Sequence, residues 1–132
     1  MARKEPKMNE CLAEANANEN AAQCGMFLTH NGVVRVTPKA QVREGVTDLG
    51  QIAQVEFSYD EAGLEAAVEE ALSWEGIYFV KVWLNEGVCE VGDSLMYVII
   101  CGDIRPRVID ALKNLVGKIK NELVVEKEVM AG

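Results

Sequence analysis

The pattern of apolar and polar positions predicts five strands and two helices. The strand segments are rich in β-branched and aromatic residues, and they lie at residues 25–35, 52–59, 77–85, 94–101 and from 123 onward. Apolar residues recur at helical spacing over residues 60–74 and 105–120. The predicted order is therefore β–β–α–β–β–α–β. Because the second α–β unit crosses back onto the sheet, we predict an α+β fold, a two-layer sandwich of helices on sheet.

Three segments refine this outline. Residues 94–101, SLMYVIIC, are apolar at nearly every position, which predicts a central strand covered on both faces. The preceding residues 86–93, EGVCEVGD, contain two glycines and predict the turn of a hairpin. Residues 37–51 are polar with one proline and two glycines, which predicts a long surface loop.

The two ends of the chain differ in character. Residues 1–24 are rich in Ala, Asn and Glu, and Met8, Leu12 and Ala15 form only a weak helical stripe. We expect a loose helix or a partly ordered arm there. Residues 25–132 have the length of a single domain.

The last third of the chain carries the clearest helix. Asp103 is a candidate cap, Pro106 fits the first turn, and Asn121 is the expected stop. The apolar stripe of this helix consists of Val108, Ile109, Leu112, Leu115, Val116 and Ile119. Strand composition resumes directly after the helix.

The charge distribution indicates a small anionic ligand rather than a polymer. The net charge of −8 disfavours nucleic-acid binding. Residues 44–93 contain twelve acidic residues and one basic residue. Basic residues gather instead at Arg35, Lys39 and Arg43 and over residues 105–127. If these two stretches meet in space, they form a local cationic pocket. The alternative is that they are ordinary solvated surface charges.

Cysteine spacing and hydropathy exclude several other classes. The four cysteines show no CxxC pair, and with a single histidine we expect no metal site. Cys101 ends an apolar strand and is expected to be a buried small hydrophobe. No segment has the apolar length that spans a bilayer, and the first residues lack a signal-peptide core, so the cytoplasm is the expected location.

Candidate chemistry lies where the last helix meets the last strand. Lys120 is expected in the final helical turn and Lys127 follows seven residues later, so both are candidates to face one cleft. Two neighbouring lysines lower each other's pKa and hold a phosphate or carboxylate between them. Arg105, at the other end of the helix, is about 22 Å away by the helical rise. His30 is either a polar residue satisfied at a strand end or a neutral hydrogen-bonding partner of a ligand.

Three segments together resemble the catalytic, large subunit of molybdopterin synthase over residues 25–129. Residues 30–35, HNGVVR, are similar to an early strand F-x-G-x-V-R. Residues 87–93, GVCEVGD, are similar to G-x-L-x-x-G-[DE], and the apolar strand and Arg105 follow as in the family's His-Arg pair. Lys120, followed seven residues later by Lys127 within EKE, is similar to the family's helix-end lysine and W-K-[KR]-E segment.

The resemblance implies the large-subunit (α/β-hammerhead) type of sandwich and a sulfurtransferase. It makes Lys120 and Lys127 the catalytic lysines and Arg35 and Arg105 the anion-binding arginines, and we add His30 as a substrate-binding candidate. It also implies that sulfur passes from the C-terminal Gly-Gly thiocarboxylate of a small ubiquitin-like carrier to cyclic pyranopterin monophosphate. The implied assembly is a homodimer within a heterotetramer, with Arg105 serving the neighbouring site. No bound cofactor is expected.

The chain departs from the family pattern at two informative positions. Ile104 replaces the histidine before Arg105, and Glu126 replaces the aromatic residue before Lys127. These departures keep a second interpretation open, in which the chain is a non-catalytic dimer that binds a carrier protein or an anionic pterin. A third interpretation is a structural oligomer that uses the apolar hairpin as a dimer edge.

Overall fold

The computed structural model describes residues 4–45, 47 and 49–131. Its strands are β1 Met26–Val33, β2 Ile52–Tyr59, β3 Ile77–Leu84, β4 Gly87–Glu90, β5 Ser94–Gly102 and β6 Val124–Met130. Its α-helices are α1 Met8–Asn16, α2 Lys39–Arg43, α3 Glu61–Leu72 and α4 Arg105–Lys118. A 3₁₀ turn at Ala21–Gln23 follows α1, and a π-helical turn at Ile119–Leu123 joins α4 to β6.

The strands form two antiparallel three-stranded sheets. Their orders are β1–β5–β3 and β4–β2–β6. Helices α3 and α4 pack against the first sheet and against each other. The predicted α+β fold, with helices layered on sheet, is therefore confirmed, and the second sheet is the part that the pattern alone did not separate.

Strand β5 is the centre of the fold, as its composition predicted. Every residue from Ser94 to Gly102 is buried, and β5 lies between β1 and β3. Because side chains alternate along a strand, one face of β5 joins the main core with α4, through residues such as Val98, Ile100 and Leu115. Full burial of such a side chain contributes about 1.5–3 kcal/mol.

The other face of β5 is covered by the N-terminal segment. Cys11 and Ala15 of α1 are buried against Ile99 and Cys101. Helix α1 therefore uses the weak apolar stripe visible in the sequence. Nearby, the Tyr97 hydroxyl donates a hydrogen bond to the carboxylate of Glu5.

Two segments differ from the sequence-based expectation because they contain short elements with little periodicity. The predicted hairpin turn at 86–93 contains β4, which leaves the first sheet and pairs with β2 of the second. The turn that follows β4 needs a positive φ at Gly92, which is +92°. The predicted loop at 37–51 contains the one-turn helix α2.

The two long helices begin differently, and the cap predicted at Asp103 of α4 is wrong. Asp60 caps α3 by accepting a hydrogen bond from Gly63 N at 3.1 Å. At α4 the cap position is Ile104, while the Asp103 carboxylate pairs with Arg107 at 2.6 Å. Helix α4 ends at Lys118, three residues before the expected stop, because the chain widens into the π-helical turn. Within the described ranges, none of the helices has the length and apolarity needed to cross a membrane.

Candidate functional site

A cationic pocket lies between the segment after β1, strand β2 and the start of β6. Its basic lining residues are Arg35, Lys39, Arg43 and Lys120. The two basic stretches of the sequence therefore meet in space. The apolar part of the lining consists of Val33, Val34, Ile52, Val55 and Leu95. The space that water can reach inside is about 60 Å³, much smaller than the roughly 300–1,000 Å³ of typical small-molecule sites.

Arg35 is held at the pocket by the backbone on both sides of it. Val34 is buried, and its N–H donates to Asp93 O at 2.9 Å. The carbonyl of Val36 accepts a hydrogen bond from Ile52 N at 2.7 Å. The Arg35 side chain donates from Nε to Thr37 O at 3.1 Å. These bonds fix the guanidinium at the pocket, where it is suited to bind an anion.

Lys120 reaches the pocket from the π-helical turn Ile119–Leu123. Single π-helical turns of this kind often occur at functional sites. Partial burial lowers the pKa of Lys120 below its ordinary value of 10.5. Arg43, Lys39 and Arg35 lower this pKa further, and Glu126 opposes them. The residue as a whole remains exposed, so a ligand has access to its amine.

His30 lies on β1, half-buried and within electrostatic reach of Lys120. Burial lowers the pKa of His30 below 6.5, and the charge of Lys120 lowers it further. The imidazole is therefore neutral at physiological pH and able to donate or accept a hydrogen bond. It does not line the pocket itself, so its place is beside the site.

Two carboxylates share the pocket with the cations. Glu126 Oε2 lies 2.6 Å from Lys39 Nζ, and the Glu126 side chain is only 7% exposed. Glu128 Oε2 accepts a hydrogen bond from the backbone N of Lys39 at 2.9 Å. Neither glutamate was a candidate site residue from the sequence. The signal that identifies them is the two-residue period of β6, which places 126 and 128 on the same face.

Lys127 lies on the opposite face of β6, so the expected common cleft with Lys120 does not exist within one chain. Register pairs Lys127 with Glu56 and pairs Glu126 with the buried Phe57. The Lys127 side chain is 75% exposed, and its Nζ is 3.7 Å from Glu56 Oε2. Together with Val125, it lines a separate shallow depression on the outer face of the second sheet.

Arg105 also lies away from the pocket. It is the first residue of α4 and lines a different depression with Gly25, Met26 and Ile104. This agrees with the distance expected from the length of the helix. Within one chain, the structure therefore brings Arg35 and Lys120 together with His30 nearby, and it leaves Arg105 and Lys127 elsewhere.

None of the four cysteines lines this pocket. Cys11, Cys24, Cys89 and Cys101 are all free thiols. Burial raises the pKa of Cys101 to about 12, so this thiol is an inert part of the core, as expected. In the described part of the chain, no group of three or more His, Cys, Asp or Glu residues is arranged to hold a metal ion.

Comparison with known proteins identifies the family. Residues 2–122 match the family described as MoaE protein. No curated protein matches the chain significantly.

Several solved structures share the fold at low sequence identity. A molybdopterin synthase from Staphylococcus aureus superposes with a TM-score of 0.72 at 19% identity, covering 96% of this chain and 88% of its own. The molybdopterin cofactor biosynthesis protein E from Burkholderia multivorans gives 0.71 at 19% identity, covering 98% and 84%. A complex of subunits 1 and 2 of molybdopterin-converting factor from Helicobacter pylori gives 0.66 at 18% identity, covering 95% and 80%.

Proposed function

Because the chain belongs to the MoaE protein family, we propose that it is the catalytic subunit of a molybdopterin synthase acting in molybdenum cofactor biosynthesis. In this proposal, the C-terminal thiocarboxylates of two small carrier proteins each give one sulfur atom in succession to cyclic pyranopterin monophosphate. The two sulfur atoms form the dithiolene, and each carrier leaves with a C-terminal carboxylate. We place the enzyme in the cytoplasm, with residues 25–132 as its catalytic domain. The observation that carries the proposal is the convergence of Arg35, Lys39, Arg43 and Lys120 on one pocket.

The charges of the pocket suit the proposed reactants. The precursor carries a phosphate and the carrier ends in a thiocarboxylate, so both bring negative charge. Preorganised cations stabilise such charge most strongly where water is partly excluded. Arg35 is held by its Nε bond to Thr37 O and serves to orient the precursor's phosphate.

Lys120 is the residue that we place nearest the sulfur-transfer step. A lysine with a lowered pKa releases its proton more readily than a free lysine, which suits it to move a proton during the transfer. His30, neutral and close by, is assigned to hydrogen-bond the substrate or to orient Lys120.

Arg105 and Lys127 enter the proposal differently. The H. pylori complex of two subunits supports a small-subunit partner for this chain. We propose a homodimer of large subunits, with one carrier bound at each end. In such a dimer Arg105 serves the neighbouring site, which accounts for its distance from Lys120 within one chain. The sequence predicts a catalytic role for Lys127, whereas its position on the opposite face of β6 predicts that it is dispensable. The alanine variant decides between these two predictions.

A second candidate function is a binding module without sulfur transfer. The observation that favours it is the pair of carboxylates, Glu126 and Glu128, which occupy the pocket face of β6. In that case the chain holds a carrier or an anionic pterin as a dimer but does not transform it.

Reconstitution separates the two candidates. Purified protein is mixed with thiocarboxylated carrier and precursor, and the product is measured by fluorescence after oxidation. Pull-down of the carrier is measured in parallel. Formation of product supports the enzyme. Carrier capture without product supports the binding module, and absence of both overturns the proposal.

A further inference from the structure

The carboxylate of Glu126 occupies a place in the pocket that suits a ligand's anion. It is almost fully buried and contacts Lys39 Nζ at 2.6 Å. A buried carboxylate is costly unless it is paired, and here its partner is one of the four pocket cations. Within the chain, Glu126 therefore supplies the negative charge opposite Lys39. A bound phosphate or thiocarboxylate supplies that charge in a complex.

The link between β6 and α2 has two parts of different character. The first is the Glu126–Lys39 ion pair between side chains. The second is the hydrogen bond from Lys39 N to Glu128 Oε2 at 2.9 Å, which holds the backbone at the start of α2. When the Glu126–Lys39 ion pair breaks, the amine of Lys39 is released. The hydrogen bond to Glu128 still anchors the Lys39 backbone. Lys39 Nζ is thus positioned to change partners without unfolding of α2.

The small size of the pocket favours an anion that displaces the Glu126 carboxylate over one that binds beside it. About 60 Å³ accommodates a few water molecules or one small anionic group. An anion that enters meets Glu126 at close range, and like charges at that distance repel strongly. Binding therefore requires that the carboxylate give up Lys39 or move aside.

We propose that Glu126 sets the anion affinity of this pocket by competing with the ligand for Lys39. The anionic group of the substrate displaces the Glu126 carboxylate, and Lys39 passes from the protein's own carboxylate to the ligand. The proposal rests on the proposed function only in treating this pocket as the substrate site. It makes Glu126 a specificity-determining residue that rejects weakly charged ligands.

The test measures binding of inorganic phosphate by isothermal titration calorimetry at low ionic strength. Glu126→Gln keeps the shape of the side chain and removes its charge. Lys39 is 34% exposed, so its amine remains hydrated and the fold is expected to survive, which a thermal melt checks. We expect Glu126→Gln to bind phosphate roughly tenfold more tightly than the unaltered protein.

Glu128→Gln is the matched control. It removes one negative charge from the same pocket but retains an oxygen that accepts the Lys39 N–H. If the ligand displaces Glu126, Glu128→Gln increases the phosphate affinity much less than Glu126→Gln does. The double variant Lys39→Gln with Glu126→Gln then loses the increase in affinity. Equal gains in both glutamine variants, a gain that survives loss of Lys39, or no phosphate binding by Glu126→Gln overturns the proposal. Phosphate binding needs neither carrier nor precursor, so a failed reconstitution refutes the proposed function and leaves this inference standing.

Discussion

The sequence predicts that Lys120 and Lys127 are both catalytic, and replacement of each by alanine tests this prediction. Lys120 lines the cationic pocket beside Arg35. Lys127 lies on the other face of β6, where its contact is a 3.7 Å approach to Glu56. We expect Lys120→Ala to abolish most of the sulfur transfer and Lys127→Ala to leave it nearly intact.

The structure sets the expected magnitudes. Removal of a group that moves a proton in the transition state lowers the rate on the order of 10²–10⁴-fold. The Lys127–Glu56 pair is 75% and 48% exposed at its two side chains, and such pairs contribute about 0–1 kcal/mol to stability. Activity of Lys127→Ala is therefore expected within about twofold of the unaltered protein, since surface changes of this kind alter free energies by about 0.5 kcal/mol.

The assay is the initial rate of product formation, with carrier and precursor in fixed excess over the protein. Each variant is also melted, because a lost fold imitates lost chemistry. Burial penalises the charged form of Lys120 in the fold, so its removal is not expected to lower the unfolding midpoint. Equal activity losses for the two variants, or a larger loss for Lys127→Ala, refute the placement of the site.

The remaining predictions concern the fold and its titration. Leu115→Ala removes a fully buried side chain of α4 and is expected to lower the free energy of unfolding by about 2–5 kcal/mol, measured by urea titration; a loss under 1 kcal/mol contradicts the assigned core. Asp60→Ala removes the cap of α3 and is expected to cost about 1 kcal/mol, whereas Asp60→Asn retains most of it. The pKa of His30 is lowered from 6.5 in the fold, so the unfolded chain binds this proton more readily and stability falls as pH drops below about 6.5. His30→Gln is expected to flatten that fall between pH 7.5 and 5.5 in urea midpoints, and an unchanged slope contradicts the shift.

The elements with strong periodicity were predictable from the chain. Strand β5 reads as a buried central strand because nearly all its residues are apolar, and it is one. Helix α4 shows most of its buried face in the spacing of Val108 and Leu115, and Ile119 continues that face in the π-helical turn. Ile109, which the spacing also placed on the buried stripe, is exposed. In a long segment, the spacing of the apolar residues shows which face is buried. Helix α2 has five residues and strand β4 has four, which is too few to show a periodic pattern.

The cationic character of the site was predictable from the sequence, but the residues that β6 contributes to it were not. The charge distribution predicted a cationic pocket on the condition that the two basic stretches meet, and the structure brings Arg35 to Lys120. Which residues of β6 face the pocket was not predictable, because a shift of one residue turns every side chain of a strand to the other face. The pairing of β6 with β2 gives the register, with Glu126 opposite Phe57 and Lys127 opposite Glu56. Glu126 therefore faces the pocket where the spacing had suggested Lys127.

We propose that the chain moves sulfur from a carrier protein to a pterin at the Lys120 pocket. The most direct measurement uses a carrier whose thiocarboxylate sulfur is radiolabelled, incubated with precursor and either the unaltered chain or Lys120→Ala. The label is then followed between carrier and small-molecule product. We expect the unaltered chain to transfer label to the product and Lys120→Ala to leave it on the bound carrier. Label that stays on the carrier with both proteins, or that moves equally with both, contradicts it.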